Sequence, residues 1–225
     1  RPRFAVSDLK HPEALSKLMH KIGHEIGNPL TSIISLATII NRSCADIPST
    51  PLPVDKLNGY ANSICSEAWR ITGLTEKSVL LFSERHGDPA PCPVSDTLRR
   101  VIAKLQRKPI YKKYDLEISA PEPALEALVD SDQFSWLLSA LLENAFQSQI
   151  REDTAGTDAE LLPVSVSIRS HGAQVLIEIA NFKQQPCQID LDSLFEPFVV
   201  ESSEAKSSGL GLTVCCAIVE RCDGS

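Results

Sequence analysis

The sequence lacks an apolar run long enough to cross a lipid bilayer. Its longest strongly apolar stretch, Ile33 to Ile40, falls far short of the roughly 20 residues required and contains Ser35 and Thr38. A secretory signal pattern is not visible either. We therefore expect a soluble, cytoplasmic chain without direct membrane contact, and a longer parent protein could still carry a membrane anchor.

An excess of positive charge is also lacking. The 225 residues include 22 lysines and arginines against 29 aspartates and glutamates, for a formal net charge of -7. A broad nucleic-acid footprint requires the opposite balance, so we expect no nucleic-acid partner.

The seven cysteines provide neither a C-x-x-C pair nor a spacing that suits a zinc site. Their number is odd, which is typical of reduced thiols in a cytoplasm and not of a disulfide framework.

The first third of the chain contains clear helical periodicity. Apolar residues recur every three or four positions from about Ser7 to Ala45, and again from Leu57 to about Phe82. A proline-rich break between Ile47 and Pro53 separates the two patterns, which predicts a helical hairpin. One hairpin cannot bury its own apolar face, so we expect a homodimer in which two hairpins form a four-helix bundle.

A segment of linker composition, His86 to Pro93, follows the hairpin and predicts two domains, residues 1–87 and 92–225. The second domain has interleaved helices and strands, which predicts an α/β sandwich. Its predicted elements are a helix capped by Ser95 and running through Leu105, a strand at Leu116 to Ile118, a helix from Phe134 to Gln149, strands at 164–168 and 175–179 joined by a turn at His171-Gly172, and a last helix from near Leu210.

The motif with the clearest chemistry is His24-Glu25-Ile26-Gly27-Asn28-Pro29-Leu30-Thr31 on the first helix. His24 lies two positions from Ile22 and from Ile26, about 200° around the helix, so it faces away from the apolar stripe. Glu25 is adjacent and Asn28 lies one turn later. A carboxylate that accepts a proton and an amide that orients water suit nucleophilic attack by the imidazole on phosphorus.

Two simpler interpretations of His24 stay open at this point. An exposed histidine is often only a surface residue. His20 lies four positions earlier, and the two imidazoles could bind a metal together. Glu25 follows the second histidine, so the metalloprotease order H-E-x-x-H is absent.

The His24 motif resembles the phosphoacceptor box of sensor histidine kinases, and three further segments follow in the family's order. Leu141-Leu142-Glu143-Asn144-Ala145 resembles the N box, Leu194-Phe195-Glu196-Pro197-Phe198 the phenylalanine box, and Ser208-Gly209-Leu210-Gly211-Leu212 the second glycine box. Four such boxes in one order are much more specific than any one of them.

The resemblance implies a dimeric transmitter core with a Bergerat-type ATP-binding domain. His24 would be phosphorylated from ATP with Glu25 as the proton acceptor, and the phosphoryl group would pass to an aspartate on a response-regulator receiver domain. Asn144 would hold Mg²⁺, and Gly209, Leu210 and Gly211 would bind the ATP phosphates. Asn28 suggests phosphatase activity as well.

The family's first glycine box is degenerate here. Asn181 stands where an aspartate accepts the adenine amino group, and Lys183 and Gln185 stand where glycines are expected. Asn181 can still accept that hydrogen bond, but without charge assistance ATP binding is expected to be weaker. Two alternatives therefore remain, a histidine phosphotransfer protein and a regulatory pseudokinase. By the resemblance, a closing hairpin is also expected after Ser225.

Overall fold

The computed structural model describes residues 11–45, 53–83, 87–112, 114–121, 124–154, 163–181, 190, 193–200 and 208–224. Two long helices, α1 (Pro12–Ala45) and α2 (Val54–Phe82), pack against each other as the predicted hairpin. The predicted start at Ser7 and positions 47–52 of the proline-rich break lie outside the described residues. No helix in the described ranges is long and apolar enough to cross a membrane.

The rest of the described chain is an α/β unit with a mixed sheet. Its elements are β1 (Ala90–Pro93), α3 (Val94–Leu105), a 3₁₀ turn (Pro109–Tyr111), β2 (Leu116–Ser119), β3 (Glu126–Val129), α4 (Ser131–Thr154), β4 (Val164–His171), β5 (Gln174–Ala180) and α5 (Gly211–Arg221). In the three-stranded sheet, β2 runs parallel to β4 and β4 antiparallel to β5. The predicted fold class, a helical hairpin followed by α/β layers, is confirmed.

The core of this unit lies between the sheet and the helices. Leu138, Leu142 and Phe146 of α4 are at most 1% exposed, and the ring of Tyr111 stacks on Phe146 with centroids 5.3 Å apart. On β4, buried valines alternate with more exposed serines, as period-two patterning predicts. The apolar side of the N-box helix is therefore mainly structural, and only its polar positions are available for chemistry.

The predicted linker is wrong at its C-terminal end. Ala90–Pro93 forms β1, which pairs antiparallel with β3. Proline lacks a backbone donor but is tolerated in an edge strand, so linker composition and strand structure coexist here. The domain boundary itself remains a prediction.

The predicted N-cap at Ser95 is also wrong. α3 begins at Val94, Pro93 occupies the cap position without a side-chain hydrogen bond, and Ser95 is buried in the first turn. The capped helix is α4 instead, where Asp130 Oδ1 accepts the N–H groups of Asp132 and Gln133 at 2.9 and 3.1 Å. Burial alone would raise the pKa of Asp130, but its backbone donors, which include Gly87, lower it.

The strand hairpin differs from its prediction by one residue. His171 is the last residue of β4, and the turn consists of Gly172 and Ala173. Gly172 has a φ of +62°, a conformation that glycine adopts without steric cost.

Candidate functional site

His24 is exposed on α1, as its helical position predicts, and its nearest polar partner is another imidazole. The Nε2 atoms of His20 and His24 lie 3.2 Å apart, and the two rings meet edge to face with centroids 4.6 Å apart. α1 runs unbroken through Pro29. The imidazole of His24 is therefore accessible from solvent and linked to His20.

Glu25 is adjacent to His24 in sequence, but its carboxylate forms an ion pair that joins the two helices. Its Oε2 accepts a hydrogen bond from Arg70 Nη2 of α2 at 3.0 Å. Arg70 also contacts Glu67 at 3.5 Å. The side chain of Glu25 thus ties α1 to α2, and proton transfer from His24 would require it to share or leave Arg70. Asn28 is exposed one turn after His24.

Gly209, Leu210 and Gly211 are here called the glycine turn, and Gly211 is the first residue of α5. Gly209 has a φ of +64°, and its carbonyl oxygen accepts the N–H of Phe198 at 2.8 Å. Leu210 is fully buried, so only its backbone could meet a ligand. The first N–H groups of α5 lack helical acceptors, which suits a phosphate group.

The two predicted asparagines are exposed on neighbouring elements. Asn144 lies on α4, which packs against α5, and Asn181 directly follows β5. The amide oxygen of Asn144 is a hard ligand of the kind that Mg²⁺ accepts. Positions 183 and 185 of the degenerate glycine box lie outside the described residues.

Two lysines of the helical hairpin contact the segments around the glycine turn. Lys77 of α2 donates a hydrogen bond to Ser208 Oγ at 3.2 Å, and Lys21 Nζ lies 4.6 Å from the ring centroid of Phe198. Burial lowers the pKa of Lys77, and the negative charge of Glu143 partly offsets this effect. Because Lys21 precedes His24 by three residues, these contacts bring the His24 face of α1 and the glycine turn to one side of the molecule.

Arg221, at the end of α5, strengthens the same interface. Its guanidinium donates to the carbonyl oxygens of Leu80 and Leu81, both at 2.9 Å, at the C-terminal end of α2. Sequence reasoning missed Lys21, Lys77 and Arg221, because each resembles an ordinary solvated residue until the two parts of the chain are packed together.

Activated thiols are not found at this site among the cysteines that the structure describes. The five cysteines whose side chains are described are free. Burial raises the pKa of Cys215 to about 12 and that of Cys216 to about 11, so neither is a thiolate at neutral pH. Within the described ranges, no group of three or more His, Cys, Asp or Glu side chains could hold a metal ion.

No protein-family model matches the chain. The bacteriophytochrome of Pseudomonas aeruginosa is 25% identical over 217 residues, covering 92% of this chain and 27% of that protein. The sensor histidine kinase ZraS of Escherichia coli K12 is 24% identical over 222 residues, covering 97% of this chain and 44% of ZraS. The chain thus spans less than half the length of these relatives.

Two solved structures share the fold. The histidine kinase AdeS of Acinetobacter baumannii has a TM-score of 0.60 at 18% identity, covering 88% of this chain and 86% of that one. Full-length ShkA in complex with AMPPNP has a TM-score of 0.52 at 19% identity, covering 91% of this chain and 40% of that one.

Sequence and fold together support a histidine kinase transmitter core. ZraS is named a sensor histidine kinase, and the chain is similar to it over nearly its whole length, so the likeness extends beyond the four motifs.

Proposed function

We propose that this transmitter core phosphorylates its own His24 from ATP and passes the phosphoryl group to an aspartate of a response-regulator receiver domain. One set of contacts carries the proposal. The imidazole of His24 is exposed on α1, and Lys21, one turn earlier, contacts the ring of Phe198. The N–H of Phe198 in turn donates a hydrogen bond to the carbonyl oxygen of Gly209. These contacts support a reaction between His24 and a nucleotide bound at the glycine turn.

The chemical step assigns a task to each residue. The lone pair of a ring nitrogen of His24 forms a bond to the γ-phosphorus, and the bond to the bridging oxygen breaks with its electron pair leaving on ADP. The remaining ring proton passes to a carboxylate, for which Glu25 is the candidate once it shares or leaves Arg70.

The other residues bind and orient. The N–H groups at the start of α5 are proposed to hold phosphate oxygens, Asn144 to hold Mg²⁺, and Asn181 to accept the adenine amino group. Mg²⁺ supplies charge neutralisation on the phosphates when it is bound. Asn28 is proposed to position water in a phosphatase reaction on a phosphorylated regulator.

The first test is phosphorylation with radiolabelled ATP and Mg²⁺. We expect an acid-labile, alkali-stable label that is lost in His24→Gln and retained in the matched variant His11→Gln, which changes an exposed histidine just before α1. A label that survives in His24→Gln would overturn the assignment.

A nucleotide titration separates the proposal from its two alternatives, which the relatives do not favour. We expect Mg²⁺-dependent ATP binding that Asn144→Ala abolishes. Absence of ATP binding, combined with phosphoryl exchange between His24 and a phosphorylated regulator, would instead establish a histidine phosphotransfer protein. Absence of both activities would indicate a pseudokinase.

A further inference from the structure

The imidazoles of His20 and His24, here called the histidine pair, converge on one point above α1. Both side chains are exposed, and their Nε2 atoms are 3.2 Å apart. Residues four apart lie on the same helical face, so this convergence follows from the helix itself and needs no distortion of the backbone.

The separation of the two nitrogens matches the edge of a tetrahedral metal site. Imidazole nitrogens bind Zn²⁺ at about 2.0–2.1 Å, which places two ligands of one tetrahedron about 3.3–3.4 Å apart. The histidine pair is already within a few tenths of an ångström of that distance.

We propose that His20 and His24 form a two-histidine chelate for a divalent transition-metal ion of the Zn²⁺ class. Imidazole suits Zn²⁺, Cu²⁺ and Ni²⁺, whereas Mg²⁺ prefers oxygen ligands, so this site is separate from any magnesium site at Asn144. Within the described ranges, no third His, Cys, Asp or Glu joins the pair in a cluster, so water completes the coordination.

The proton balance is simple for two neutral rings. In the unmetallated pair one Nε2–H donates to the other Nε2. In the chelate both Nε2 atoms supply lone pairs, so the donated proton moves to Nδ1 of its own ring through solvent. No net proton is released.

Neighbouring charges keep the site weak enough for the ion to exchange. Lys17 lies three residues before His20, and Lys21 three before His24, so both add positive charge to this face. The carboxylate of Glu25 is paired with Arg70. An open, water-completed site surrounded by lysines should therefore load and unload with the free metal concentration.

Metal binding on His24 has a direct consequence for phosphorylation of the same residue. This part of the inference rests on the proposed function. A nitrogen whose lone pair coordinates a metal cannot attack phosphorus at the same time. Metal and phosphoryl group should therefore exclude each other on His24, and each should weaken the binding of the other.

A calorimetric titration with Zn²⁺ tests the chelate without requiring kinase activity. We expect a Zn²⁺ site that is lost in His20→Ala and in His24→Gln and retained in His11→Ala and His171→Ala. All four variants keep the seven cysteines, so differences between them report on histidine. Unchanged Zn²⁺ binding in His20→Ala would overturn the proposal.

An autophosphorylation assay at saturating ATP and Mg²⁺ then tests the competition. Zn²⁺ should suppress labelling of the wild type, and His20→Ala should still be labelled but lose this sensitivity. Equal suppression in both proteins would refute competition at His24. A wild type that takes no label without Zn²⁺ would refute the proposed function and leave the titration to decide the chelate.

Discussion

Gly209 occupies a backbone position at which any side chain would displace its neighbour. A Cβ atom there would lie 2.6 Å from both Cα and the carbonyl carbon of Phe198, and φ is +64°. Phe198 itself has a φ of +66°. The close approach is made between two backbones, so it cannot be relieved by rotating a side chain.

A comparison of two glycines should isolate this packing effect. Gly172 has nearly the same φ, +62°, but nothing within 4 Å of its Cβ position. Gly172→Ala should lower the free energy of unfolding by about 1–2 kcal/mol, the cost of the left-handed conformation. Gly209→Ala should lose a further 1–3 kcal/mol, roughly the cost of overpacking. Urea denaturation measures both, and equal losses would show that the loop relaxes freely.

Asn181 offers a gain-of-function test of the proposed nucleotide site. Asn181→Asp should tighten ATP binding by about tenfold, because a charged acceptor adds roughly 1–1.5 kcal/mol to a hydrogen bond. Calorimetry with ATP measures the change, and GTP, which carries a carbonyl at the corresponding ring position, is the control. Tightening for both nucleotides would argue against contact with the adenine amino group.

At the scale of elements, the hairpin buries only part of its apolar surface within one chain. Leu18 and Ile22 of α1 are about 5–6% exposed, whereas Met19 and Leu30 are 52% and 43% exposed. The exposed pair lies on a strip of α1 beside the buried one. An apolar strip along a long helix gains about 25 cal/mol per Å² when a partner covers it, which supports the homodimer predicted from the sequence.

A charge in the apolar stripe of either helix should therefore separate the subunits. Ile33→Asp and Ile64→Asp are expected to give monomers by light scattering. Ser35→Asp adds the same charge to an exposed position of α1 on the side opposite Ile33, and should leave the dimer intact. Retention of helical circular dichroism in the monomers distinguishes dissociation from unfolding. Dimers in all three variants would place the interface elsewhere.

Periodicity predicts most of these elements because burial imposes it. Apolar residues recur with a period near 3.6 in the two long helices and near 2 in the β4–β5 pair, so the sequence predicts these elements. β1 and β3 are only four residues each, and β1 is half proline. Their local composition therefore does not predict that the two segments pair. Ser95 resembles a cap in sequence, but the strand directly before it fixes the helix start at Val94 instead.

At the scale of the whole molecule, the candidate site depends on contacts that local sequence does not specify. The position of His24 on the outer face follows from helix geometry alone. Its relation to the glycine turn depends on Lys21, Lys77 and Arg221, which cross between the hairpin and the α/β unit. Such contacts depend on the packing of complete surfaces, so individual residue patterns cannot reveal them.

Lys21 and Lys77 join the hairpin to the segments around the glycine turn of the same chain, and on this basis we predict that phosphoryl transfer takes place within one chain of the dimer. Lys21 and Lys77 place the glycine turn beside the α1 and α2 of its own hairpin. In a mixed dimer of one His24→Gln and one Asn144→Ala subunit, the intact acceptor and the intact nucleotide site are on different chains. That dimer should take no label.

The control is a dimer of His24→Gln with the wild type, which should be labelled on the wild-type chain alone. Label on the Asn144→Ala chain of the mixed dimer would demonstrate transfer between subunits. The described contacts would then belong to a resting arrangement that the α/β unit must leave in order to reach the partner's histidine. Lys77→Met, which removes the hydrogen bond to Ser208, should in that case accelerate labelling. If transfer takes place within one chain, the same substitution should slow labelling.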